Sequence, residues 1–147
     1  MSHIKIVIDP EDETVDLALD SRGFISLEAG LETMVAYSLF TNRRARPSDE
    51  REKPFGWWGD SFSPVTGDRI GSLLWLLRRA NLTPDTLRKV KLYTDQALAW
   101  MVEDGMAKKV TTQVERQDNG IVAIGVDILR PDGEAWSKVW EVHVNAL

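Results

Sequence analysis

Apolar residues recur at every second position near the start of the chain, and this period predicts short β-strands. Residues 4–8 carry isoleucine at alternate positions, and residues 15–19 alternate valine or leucine with polar or small residues. Residues 24–27 follow a predicted turn and add a third short segment. We therefore expect residues 1–28 to form short N-terminal strands.

A period of 3.6 residues predicts three helices in the centre of the chain. The predicted helices span residues 30–41, 69–80 and 84–104. Asp68 is the predicted N-cap of the second helix. The third begins after Thr83, whose hydroxyl can cap a helix, with Pro84 at the first helical position and Gly105 as its stop.

Alternation returns after residue 106 and predicts a three-stranded antiparallel meander over residues 106–146. A two-residue turn would place the apolar sets of the first two strands on opposite faces of the sheet. We therefore predict a three-residue loop at positions 118–120, with Gly120 in the left-handed conformation. A second turn is predicted at residues 131–133.

The last strand has an apolar and a polar face. Its inward residues are predicted to be Trp136, Trp140, Val142 and Val144, and its outward residues Ser137, Glu141 and His143. The fold class is therefore α+β, with the meander packed on about three helices in a single domain over residues 1–147.

Residues 42–67 show no periodicity, and we predict a long docking loop there. Arg43, Arg44 and Arg46 open this segment, and arginine can bind carboxylates and carbonyls of a partner in bidentate geometry. Alternatively, they form a solvated helix end stabilised by the helix dipole. Trp57 and Trp58 are adjacent, so their rings point in different directions and one is expected to meet a partner.

Composition narrows the function classes. The chain has 147 residues, 43% of them apolar, and no cysteine, which indicates one globular domain without disulfides. The net charge is -5, and residues 1–32 hold eight acidic and two basic side chains, which disfavours nucleic-acid binding. The apolar run at residues 73–77 is too short for a membrane span. Folding in the cytoplasm is the default expectation.

Residues that could carry chemistry are few. His3 and His143 are far apart, and no Gly-x-Ser-x-Gly elbow or phosphate loop occurs. No cofactor or metal is expected. The carboxylates weighed for glycoside hydrolysis, none in a recognisable context, are Glu28, Glu32, Asp60, Asp68, Glu103 and Asp104. A peptidoglycan-cleaving, lysozyme-like hydrolase and a regulatory protein-binding adaptor stay open as alternatives to an assembly protein.

Six sequence strings in a fixed order carry a family resemblance. They are residues 39–45 (LFTNRRA), 56–60 (GWWGD), 67–77 (GDRIGSLLWLL), 82–87 (LTPDTL), 97–105 (ALAWMVEDG) and 130–133 (RPDG). Together they resemble the gene-46 product family of Mu-like tailed phages. That family looks like a branch of the contractile-tail baseplate wedge proteins, historically called lysozyme-like.

The resemblance implies a structural virion protein and no enzyme. It implies a host-cytoplasmic protein during assembly that joins the tail baseplate near the hub and offers a platform for the contractile sheath. The implied partners are a larger wedge protein, the tail hub or spike and the sheath, with about six copies of this chain in a ring. Neither nucleic acid nor membrane is among them. The expected partner-binding residues are Arg43, Arg44, Arg46, Glu50, Phe55, Trp57, Trp58 and Asp60.

Overall fold

The computed structural model describes residues 3–4, 6–9, 14–17, 27–28, 30–45, 70–144 and 147. The chain divides into two compact units, residues 1–36 and residues 37–147. The single-domain organisation stays a prediction.

The N-terminal unit contains two short antiparallel strand pairs. β1 (His3–Ile4) pairs with β4 (Leu27–Glu28), and β2 (Ile6–Asp9) pairs with β3 (Thr14–Leu17). The strand predicted over residues 4–8 is therefore divided between β1 and β2, which have different partners.

Helix α1 (Leu31–Phe40) confirms the first predicted helix, and Phe40 ends it as expected. Val35 and Leu39, four residues apart, are buried, as the 3.6-residue period requires. The Thr41 N–H donates to the Tyr37 carbonyl at 3.2 Å and closes the last turn.

The second predicted helix, over residues 69–80, is wrong. Within residues 70–80, only Leu74–Leu77 are helical, as one short 3₁₀ turn. Gly71 is left-handed, with φ +99°, and Ser72 bridges to Asn42 in parallel. Hydrogen bonds to a segment distant in sequence therefore replace the helical ones, although the leucine stripe still reaches the interior at Leu74 and Leu77. The predicted cap, Asp68, lies outside the described residues.

Helix α2 (Pro84–Glu103) confirms the third predicted helix. The Thr83 Oγ1 accepts the Thr86 N–H at 3.2 Å, which is the expected N-cap. Gly105, with φ +72°, stops the helix in the left-handed conformation. The buried face consists of Thr86, Val90, Thr94, Ala97, Leu98 and Met101.

Three antiparallel strands form the C-terminal sheet, in the order β5 (Lys109–Arg116), β6 (Ile121–Leu129), β7 (Ala135–His143). Even positions pair with even positions, as in Arg116↔Val122, so the three-residue loop is confirmed. Gly120 is left-handed with φ +81°, and Asn119 is left-handed as well, with φ +60°.

The even-numbered face of the sheet is buried. β6 contributes Val122, Ile124, Val126 and Ile128, all at 1% exposure or less. α2 packs beside β5, where Thr112 Oγ1 donates to Asp95 Oδ1.

The aromatic residues of β7 extend this core. The ring centroids of Trp136 and Trp140 are 6.1 Å apart, and Phe40 meets Trp140 edge-on at 6.5 Å. His143 is exposed, as its place in the alternation predicts. The sheet core therefore reaches the last residue of α1.

Candidate docking site

Only the beginning of the predicted docking loop lies in the described part of the chain. Arg43 is half-buried and Arg44 is exposed. The other expected partner-binding residues lie outside the described residues; they are Arg46, Glu50, Phe55, Trp57, Trp58 and Asp60.

Backbone hydrogen bonds join the two described segments that flank the loop. The Ser72 N–H donates to the Thr41 carbonyl, and the Arg43 N–H donates to the Ser72 carbonyl, both at 2.9 Å. We call this contact, formed by residues 41–43 and 71–72, the loop clip. It fixes the position at which the chain leaves α1 and the position at which it returns.

Two side chains reinforce the loop clip. The Ser72 hydroxyl donates to the Leu39 carbonyl at the end of α1 and accepts the Leu74 N–H at 3.2 Å. The Trp75 indole donates through Nε1 to the Arg43 carbonyl at 2.8 Å. Since Trp75 is itself 9% exposed, the Arg43 backbone is tied to a buried ring.

Gly71 permits the close approach. A Cβ at this position would lie 2.2 Å from the Thr41 carbonyl oxygen and 3.2 Å from the Arg43 nitrogen. No side chain fits at such distances, and the φ of +99° is itself unfavourable for any residue but glycine. Glycine is therefore required here by both space and conformation.

The arginines of the site have charge available for a partner. Within the described residues, no hydrogen bond or ion pair engages the guanidinium of Arg43 or Arg44. The described ion pairs lie on α2 and at the β6–β7 turn. An exposed guanidinium beside an anchored backbone can form bidentate contacts with carboxylates.

The edge strand β7 is a second exposed feature. Its odd-numbered face carries Val139, which is 60% exposed. On the other face, Lys138 lies among the inward residues, with Nζ 5.9 Å from the Trp140 ring centroid. An inward-pointing charge is one of the devices that keep edge strands from pairing indiscriminately.

Of the carboxylates weighed for hydrolysis, three have described side chains. Glu103 and Asp104 are exposed at the end of α2, and Glu32 is half-buried on α1. Asp60 and Asp68 lie outside the described residues, as does the side chain of Glu28. No group of three His, Asp or Glu side chains in the described ranges could hold a metal ion. No helix there is long and apolar enough to cross a bilayer.

Sequence reasoning missed the loop clip. It assigned Gly71 to a helix start, although two glycines within five residues are unusual for a helix. The long-range partners of Ser72 and Trp75 have no local signal, because they lie 33 and 32 residues away in sequence.

The fold and the site define the class as an α+β protein in which backbone hydrogen bonds join residues 41–43, after α1, to residues 71–72. The family model for phage protein GP46 matches residues 31–135. The chain is 37% identical over 137 residues to the baseplate protein gp46 of Escherichia phage Mu, covering 90% of this chain and 91% of that one. It is 34% identical over 128 residues to the Mu-like prophage FluMu protein gp46 of Haemophilus influenzae, covering 87% and 88%. The chain belongs to the phage protein GP46 family, which confirms the resemblance seen in its sequence strings.

Proposed function

We propose that this chain is a structural component of a phage tail baseplate, with a role in assembly and not in catalysis. The similarity to the Mu baseplate protein over 90% of the chain supports this role. The observation that carries it is the loop clip, which leaves Arg44 exposed beside an anchored backbone. In this role the chain is made in the host cytoplasm and ends in the tail of the virion.

In this proposal, the docking loop binds a larger wedge protein near the hub of a contractile tail. The loop clip supports this assignment, because a segment whose ends are already joined loses less conformational entropy on binding. Arg43 and Arg44 supply the charge, together with Arg46 and Glu50 further along. The aromatic and acidic members of the same docking set are Phe55, Trp57, Trp58 and Asp60.

The edge strand β7 is the proposed platform for the sheath. An open edge can accept a strand from a neighbouring protein through main-chain hydrogen bonds. Lys138 restricts that pairing to strands that tolerate its charge. About six copies in a ring around the hub or spike would each present such an edge.

Co-purification with the larger wedge protein of the same tail tests the docking assignment. Loss of one arginine or tryptophan anchor costs about 2 kcal/mol or more, which corresponds to a loss of at least about thirtyfold in affinity. The double variant Arg44→Ala and Trp58→Ala is therefore expected to lose capture while keeping the circular dichroism spectrum of the parent protein.

The matched control is Arg88→Ala, which removes an exposed arginine from α2 and should leave capture unchanged. Full capture by the double variant would remove the loop from the interface. Equal losses in the double variant and in Arg88→Ala would indicate non-specific charge attraction in place of docking.

A further inference from the structure

Helix α2 carries a second apolar stripe on its outer side. Leu92 is 51% exposed and Val102 is 45% exposed, and exposed Ala99 lies between them. With Asp95, these residues follow the three–four–three spacing of a helix that packs against another helix. Val90 and Met101, by contrast, are fully buried on the inner side. α2 is therefore apolar on two sides, although only one of them is covered.

The outer stripe borders an open groove of about 580 Å³ between α2 and β5. Its apolar lining comes from Leu98, Ala99, Val102 and Val110. Lys91 and Lys109 balance Asp95 and Glu103 among the charged lining residues, so the groove has no net charge. Two copies can therefore approach through this face without net repulsion.

The two halves of α2 carry opposite net charge. In the first half, Arg88, Lys89 and Lys91 outweigh Asp85, which pairs with Lys89 at 3.1 Å and with Arg88 at 3.8 Å. Glu103 ends it and Asp104 caps it, while the last turn has no basic residue. A helix favours acidic groups at its start and basic groups at its end. The acidic C-terminal end of α2 is therefore better placed beside the basic half of another helix than on its own.

We propose that α2 binds the α2 of a second copy of this chain in antiparallel orientation about a two-fold axis. Leu92 then lies opposite Val102 of the second copy, and the small Ala99 permits close approach. Lys89, which pairs with Asp85 at 3.1 Å within its own helix, lies opposite Glu103 of the second copy and can contact both carboxylates. Because of the two-fold axis, each of these contacts occurs twice in the dimer. The two helix dipoles are antiparallel, which is the favourable arrangement for neighbouring helices. Neighbouring copies in a six-membered ring are not related by a two-fold axis, so this association belongs to the free chain, goes beyond the baseplate role and does not depend on it.

The exposed stripe on α2 is short. Residues 92–102 span only about 15 Å of helix. A contact of this length buries less than the roughly 800 Å² per partner of a standard interface. We therefore expect a weak, reversible dimer.

Sedimentation equilibrium of the full chain, from about 10 µM to 1 mM, covers the range of weak association and tests the dimer. The parent protein is expected to move from monomer to dimer across this range. Leu92→Gln, at a residue that is half exposed and so dispensable for the fold, is expected to stay monomeric. A parent protein that is monomeric at about 1 mM overturns the proposal.

A charge exchange identifies the orientation. Lys89→Glu and Glu103→Lys should each weaken the dimer about tenfold, because each places like charges together, and the double variant should restore it. Residues 89 and 103 are about 21 Å apart within one helix, so the rescue cannot arise inside one chain.

The matched control is Glu115→Lys, the same charge change on the face of β5 opposite Thr112. It should dimerise like the parent protein. Failure of the double variant to recover, or an equal loss in the control, overturns the antiparallel α2 contact.

Discussion

Replacing Gly71 with alanine is expected to destabilise the protein by about 3 kcal/mol. The residue has a φ of +99°, and a side chain in a positive-φ conformation costs about 1–2 kcal/mol. The added Cβ would also lie 2.2 Å from the Thr41 carbonyl oxygen. Relieving that contact moves two backbone segments apart and weakens both hydrogen bonds of the loop clip, each worth about 1 kcal/mol.

Gly133→Ala is the matched control for this prediction. Gly133 has a φ of +91°, close to that of Gly71, but a Cβ there meets nothing within 4 Å. This variant therefore incurs only the conformational cost, about 1 kcal/mol. The difference between the two variants isolates the close approach of Gly71 to Thr41.

Urea unfolding followed by circular dichroism measures both free energies. Thermal unfolding gives a second measure. For a chain of this size, a loss of 1 kcal/mol lowers the melting temperature by about 2–4 °C, so Gly71→Ala should melt about 6–12 °C below the parent protein. Hydrogen exchange should also show faster exchange of the Arg43 and Ser72 amides. If Gly71→Ala loses no more stability than Gly133→Ala, the loop clip is not the tight contact described above.

Two further changes test neighbouring features. Trp75→Phe removes the indole bond to the Arg43 carbonyl and should cost about 1 kcal/mol. It should also speed hydrogen exchange of the Arg43 amide. Its control is Trp100→Phe, which loses a hydrogen bond of 3.0 Å to Ser38 Oγ and should leave exchange of the Arg43 amide unchanged. Equal acceleration in both variants would show that the Trp75 hydrogen bond does not hold the Arg43 backbone. Lys138→Val removes the inward charge of edge strand β7 and should increase association measured by light scattering as concentration rises. Exposed Glu141→Val, on the other face, is its control, and equal scattering by both would remove Lys138 from this role.

Local signals explain what the sequence predicted correctly. The N-cap at Thr83 and the stop at Gly105 depend on residues adjacent to the helix ends, and both are present in the structure. The hairpin loop at residues 118–120 followed from parity alone, because a slip of one residue would turn every apolar side chain outward. In both cases the deciding contacts lie within a few residues.

The helix predicted over residues 69–80 shows that local patterns fail where contacts distant in sequence decide the backbone conformation. Its leucine spacing is real, but Ser72 hydrogen bonds to Leu39 and Thr41 take precedence over helical bonds. These partners lie more than 30 residues away in sequence, and no local sequence pattern predicts them. For the docking site, the sequence named Arg44 and the structure places it at the surface; its contact with a partner stays a prediction.

The loop clip also makes the core independent of the length of the segment between residues 43 and 71. Hydrogen bonds join residues 41–43 to residues 71–72. Insertions between these two segments should therefore leave the positions of the sheet and of α2 unchanged. Doubling the length of such a loop costs only about 0.6 kcal/mol in closure entropy. If the proposed docking role holds, the binding segment can change in length without disturbing the sheet and α2.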